Sequence, residues 1–120
     1  MSPDILSEVK RIVNESKNLP QEKLEKLLGL LGRFKQRDLL YPGVIIRHLN
    51  ISKERTYDIL DTLKDKGILR INYELYCHSC NHFEGGIFET FGQIPDDIYC
   101  EGCGNNLDPV DNSIIVYRIV

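Results

Sequence analysis

The chain reads as an α+β protein. Apolar residues recur at helical spacing through its first two-thirds, and two runs of β-formers follow Gly67. All four cysteines sit in two CxxC pairs between those runs. Helices come first and strands last, an order expected of α+β chains and not of alternating α/β ones.

Ser2, Pro3 and Asp4 open the first helix as a cap, a proline at the first position and an acid in the first turn. Ile5, Leu6, Val9, Ile12 and Val13 then share one face. This face is expected to pack into the core, or else to bind a partner or a second copy. Asn18-Leu19-Pro20 ends this helix and starts another, whose stripe is Leu24, Leu27, Leu28, Leu31 and Phe34. Gly29 and Gly32 each weaken it by about 1 kcal/mol relative to alanine and are expected to admit a close neighbour. Tyr41-Pro42-Gly43 predicts a turn before a short apolar helix over 44–49, in which His48 is expected to be structural. Ser52 caps a helix over 53–66 that turns Thr56, Ile59, Leu60 and Leu63 inward and stops at Gly67. Residues 68–77 and 114–120 read as strands.

Nineteen residues separate Cys77-His78-Ser79-Cys80 from Cys100-Glu101-Gly102-Cys103. Each CxxC aims two thiolates at one point, and this separation lets the second pair close over the first. Cys77, Cys80, Cys100 and Cys103 are therefore expected to hold one structural Zn2+, with Gly104 supplying a positive φ after the second pair. His78 or His82 could replace one thiolate. Four complete thiolates leave no open position for water, which argues against catalysis by the metal. A redox role would call for a βαβ setting and a basic environment, and neither is present. Glu74, Glu84 and Glu101 are expected to be solvated surface rather than general bases. Gly85-Gly86 is expected to join two short segments, and Phe83, Phe88, Phe91 and Tyr99 to pack over the metal. The alternative for these rings is an exposed platform for bases. No phosphate-binding glycine loop, nucleophile triad or carboxylate pair occurs, so no enzyme is expected.

A length of 120 residues suits one domain, or one with a small satellite. No apolar run approaches the ~20 residues of a membrane span, and the first residues do not read as a signal peptide. An intracellular, cytoplasmic location is expected, where cysteines stay reduced and the triplets at Asn14 and Asn50 carry no glycan. Charge divides unevenly. Residues 1–73 carry 14 Lys and Arg against 10 Asp and Glu, whereas residues 74–120 carry Arg118 alone against eight acids.

Residues 42–71, PGVIIRHLNISKERTYDILDTLKDKGILRI, resemble the winged helix-turn-helix family. The likeness lies in a short helix ending at Leu49, then Ile51-Ser52-Lys53, then Leu60, Leu63 and Lys66-Gly67-Ile68-Leu69. Residues 21–37 would be the first helix of that unit. Ile51 would plug the turn, and Gly67 would lead into the first wing strand. The expected organisation is an N-terminal helix over 1–18, a winged helix over 19–76 plus 113–120, and a zinc ribbon over 77–112. No short hairpin turn is evident after residue 76, so the ribbon is expected to be inserted as an enlarged wing, with the last strand returning antiparallel to the first. The alternative is a separate ribbon that keeps the last strand. That order is similar to the alpha subunit of archaeal and eukaryotic general transcription factor E in architecture and CxxC spacing. Ribbons of that family follow a longer helical linker, and its function is not carried over.

The resemblance implies a regulator that binds double-stranded DNA through Ser52, Lys53, Arg55, Thr56 and Tyr57, with Arg47 on phosphate and Arg33, Lys35 and Arg37 in support. It would dimerise through the N-terminal helix. The charge pattern implies instead an adaptor or accessory subunit. Glu54, Asp58, Asp61 and Asp65 neutralise the reading helix, with Asp58 and Asp61 facing phosphate or solvent, and the acidic ribbon would repel a duplex.

Overall fold

The computed structural model describes the backbone of residues 1–120 and the side-chain environment of all but His82, Glu84 and Gly85. It is an α+β chain. Its helices are α1 (Pro3–Ser16), α2 (Gln21–Leu31), α3 (Pro42–Leu49) and α4 (Lys53–Asp65). Its strands are β1 (Leu39–Leu40), β2 (Leu69–Cys77), β3 (His82–Phe88) and β4 (Ser113–Ile119), in one antiparallel sheet ordered β1-β4-β2-β3. No helix among the described residues is long and apolar enough to cross a membrane.

The chain forms two compact units, Met1–Arg70 with Tyr117–Val120, and Ile71–Val116. In the first unit, the Ser2 hydroxyl accepts from the Ile5 N–H at 3.3 Å and starts α1. Val9, Ile12 and Val13 are buried as α1 packs on α2 and α4. The face of α1 expected to bind a partner or a second copy is thus covered by the unit's own helices, and only Ile5 of its stripe stays exposed, at 38%. Helix α2 ends at Leu31, six residues before the expected end at residue 37, because Gly32 caps it and the next residues form turns. Arg33, Lys35 and Arg37 therefore lie in a loop, with Arg37 at φ 75°. Leu30 joins Leu24, Leu27 and Leu31 in the core, while Leu28 and Phe34 are half-buried.

A Cβ at Gly32 would touch Leu6 at 3.6 Å, so this glycine does face α1, but a Cβ at Gly29 would meet nothing within 4 Å. Gly29→Ala is therefore expected to stabilise the chain by about 1 kcal/mol through helix propensity alone. An unchanged or lower denaturation midpoint would refute it.

Pro42 is not in a turn but occupies the first position of α3, where its missing N–H costs nothing. Asn50 ends α3 in the left-handed conformation, at φ 54° and ψ 53°. Lys23 Nζ donates to the freed carbonyls of Leu49 and Asn50 at 3.1 and 2.9 Å. Ser52 then caps α4, accepting from the Arg55 N–H at 3.1 Å. Thr56, Ile59, Leu60 and Leu63 are buried, Ile51 is half-buried, and His48 is exposed. His48 follows the polar side of a short helix whose apolar positions are taken by Ile45 and Leu49. Gly67 turns at φ 79°. Two-residue β1 escapes any periodicity, yet it pairs Leu39 with Arg118 and Leu40 with Tyr117. The buried Tyr117 donates its hydroxyl to Asp61 Oδ1 at 2.7 Å.

In the second unit a hairpin does follow residue 76, with the first cysteine pair as its turn: Tyr76 pairs with Phe83, and Cys77 with His82. Residues 82–88 form one strand, and Gly85-Gly86 lies inside it rather than between two segments. Glu74 faces Ile87 whereas Tyr76 faces Phe83, so β3 carries a bulge opposite Leu75. A Cβ at Gly86 would come within 2.7 Å of the Phe88 ring, which explains glycine there.

Candidate metal centre

Two loops of similar shape carry the cysteines. In the first, Cys77 ends β2, the chain turns through Asn81 at φ 54°, and β3 starts. In the second, the Gly104 N–H donates to the Cys100 carbonyl at 2.8 Å, Gly104 takes φ 75°, and the Cys100 N–H donates to Asn105 at 2.9 Å. Each pair is thus followed immediately by a residue with positive φ. Glycine meets that need without strain, and asparagine is the next best residue. A bridge between Tyr99 and Asn106 closes the second loop as β2 and β3 close the first.

These turns bring the four Sγ atoms within 4.8 Å of one another. Cys77 and Cys103 lie 3.5 Å apart, and Cys80 and Cys100 3.3 Å apart. Cys77 and Cys100 are buried with Leu107, and Ile98 packs against them. Cys80 and Cys103 are exposed. A Cβ at Gly102 would sit 3.4 Å from Cys80 Sγ and 3.6 Å from Cys100 Sγ, so the second loop closes tightly round the sulfurs. The Cys80 backbone hydrogen bond, helped by those of the other thiols, holds the Cys77 thiol down at about 7. At Cys80 the hydrogen bond with Cys100 lowers the pKa, but burial and the remaining thiols outweigh it and raise it overall. Four sulfurs this close suit a single thiophilic cation, which would relieve the repulsion among thiolates.

The residues around the sulfurs depart from expectation. Phe83, Phe91 and Tyr99 do not cover them: they are 46%, 42% and 59% exposed. Phe91 stacks on Tyr73 at 4.1 Å, and Phe83 lies 4.7 Å from Tyr76. Leu107 is buried with Cys77 and Cys100 instead, and Ile98 packs against them. His78 Nε2 lies 3.0 Å from the Asp111 carbonyl oxygen and stands apart from the cluster. The side chains of His82 and Glu84 lie outside the described residues. Glu101 is exposed, but Glu74 is 8% exposed and so is not the solvated surface group expected of it. Its place in β2 opposite Ile87 buries it. Asn81, Gly102, Ile98 and Leu107 were not singled out from sequence. The first two follow a rule visible there, small or left-handed-tolerant residues within and after each CxxC.

The residues proposed to meet DNA separate into two groups. Arg47, Ser52 and Lys53 are exposed, and Tyr57 is half-buried, its pKa raised by burial and then by Asp61. Thr56 is fully buried and donates its hydroxyl to the Ser52 carbonyl at 2.9 Å. Arg55 turns back to the end of α1, donating from Nη2 to the Lys17 and Asn18 carbonyls at 3.1 and 2.8 Å. Its Nε is buried without a hydrogen-bond partner among the described residues. Asp58 stays exposed, as expected, while pairing with Lys17 at 3.0 Å, whereas Asp61 is half-buried and accepts from Tyr117. The chain matches no known protein family, and no curated protein or solved structure is significantly similar to it.

Proposed function

We propose that this chain is a non-enzymatic docking module, a winged helix-turn-helix whose enlarged wing is a zinc ribbon, serving as an adaptor or accessory subunit in a protein assembly. The observation that carries this reading is the use of Arg55 and Thr56 by the fold itself. A helix that reads DNA keeps such positions free for base edges. Here only Lys53 remains as an exposed cation in the first turn of α4.

Three features support the winged-helix part. They are the order of α2, α3, α4 and β2, the Ser52 cap after a left-handed Asn50, and the place of β4 beside β2 in the sheet. Zinc is the metal these sulfurs fit best. A tetrahedral site with Zn–S bonds of about 2.3 Å has S···S edges of about 3.8 Å. The two shortest observed edges, 3.3 and 3.5 Å, fall a little below this, and the others lie within 4.8 Å. Bound zinc would join the two loops and supply folding energy to a small unit, with all four positions taken by sulfur.

A second reading, binding of duplex DNA, is favoured by the exposure of Arg47 on α3 and of Ser52 and Lys53 at the start of α4. Fluorescence anisotropy of zinc-loaded protein with mixed duplex, titrated with salt, separates the two. The docking reading expects no saturable binding. A steep salt slope that is reduced by about one unit in Lys53→Ala would establish DNA as the ligand.

A further inference from the structure

Residues 71–116, the second unit, contain eight Asp and Glu but neither Lys nor Arg. The same unit leaves Phe83, Phe91, Tyr99, Val110 and Ile115 exposed. One group of rings is contiguous. Tyr76 holds Phe83 at 4.7 Å, tilted by 57°, and His78 at 5.1 Å, edge-on at 76°. The loop bearing Val110 and Asp111 lies against it: the Tyr76 N–H donates to Asn112 at 2.7 Å, and His78 meets the Asp111 carbonyl. Within that loop Asp108 Oδ1 accepts from the Val110 and Asp111 N–H groups at 2.8 and 3.1 Å. The Asp111 carboxylate is left to solvent among the described residues.

An exposed ring beside an exposed carboxylate, here Phe83 and Asp111, is chemically matched to guanidinium. It stacks on the ring and forks to the carboxylate, which an ammonium cannot do. The geometry points to a docking site on the second unit for an arginine-rich segment of a partner protein, centred on Phe83, Tyr76, His78 and Asp111. This rests on the docking-module reading. A second copy of the chain is a poorer match, because its seven arginines are spread singly through the sequence and form no arginine-rich segment.

The test uses the full zinc-loaded chain and three labelled dodecapeptides that alternate glycine with arginine, lysine or glutamate, in anisotropy titrations at about 0.15 M salt. The arginine peptide should bind saturably and more tightly than the lysine one, and the glutamate peptide should not bind. Phe83→Ser leaves net charge unchanged and should weaken the arginine peptide about twofold to fivefold. Asp111→Asn should weaken it severalfold. Zinc content and circular dichroism should stay unchanged in both. No binding, equal affinity for lysine, or an affinity indifferent to Phe83→Ser would overturn the site. So would sedimentation showing a self-associated protein that Phe83→Ser converts to monomer. If the peptide fails and DNA fails too, this surface is wrong and the docking reading stands. Saturable, salt-steep DNA binding overturns that reading instead.

Discussion

Cys100→Ser should reduce bound zinc to well below one ion per chain and unfold the second unit, while the helical signal of the first unit persists. Cys100 is fully buried between the loops, and its Sγ lies 3.3 Å from that of Cys80. A serine hydroxyl stays protonated at neutral pH and leaves three thiolates with an incomplete shell. Structural zinc sites contribute about 10–16 kcal/mol of apparent binding energy, far more than the Leu107 and Ile98 contacts can replace. Metal analysis together with proton NMR of the variant would check this. One zinc retained per chain in Cys100→Ser would remove that cysteine from the ligand set. Cys80 and Cys103 are exposed, so their serine variants should lose metal with less collateral loss of packing.

Arg55→Ala should lower stability by about 2 kcal/mol, seen as a reduced urea midpoint. Its guanidinium donates to two carbonyls beyond the end of α1, which have no further helical turn to accept from. Each such charged hydrogen bond is worth roughly 1.5–3 kcal/mol, but the buried Nε without a partner offsets part of that gain. Arg55→Lys should recover only part of the loss, because an ammonium cannot span both carbonyls in the same planar geometry. The opposite pattern, an unchanged midpoint with DNA binding abolished, would make Arg55 a reader of DNA. This variant thus bears directly on what α4 is for.

Much of the local structure was legible. The Ser2 and Ser52 caps, the stop at Gly67 and the inward set of Thr56, Ile59, Leu60 and Leu63 depend on residues within one or two helical turns. The same holds for the cysteine cluster, because CxxC loops aim their sulfurs by local backbone geometry. Where expectation failed, the cause was long-range. Two-residue β1 exists only because β4 offers it a partner. The β3 strand runs through Gly85-Gly86 because pairing with β2 absorbs the extra residues in a bulge. The rings at Phe83, Phe91 and Tyr99 were expected to bury themselves on hydrophobicity alone, but β3 and its neighbouring turns turn them outward.

The sequence by itself determined the four helices, the ends at Ser2, Ser52 and Gly67, the four metal-ligand candidates and the uneven division of charge. These are set by short-range propensity, spacing and composition. Only the tertiary structure decided which side chains of α4 remain available to a ligand. Lys53 and Arg55 are equally basic in the sequence and two positions apart. One faces solvent, and the other meets carbonyls 37 and 38 residues away in the chain. No local pattern encodes that difference, because it depends on where α1 ends in space.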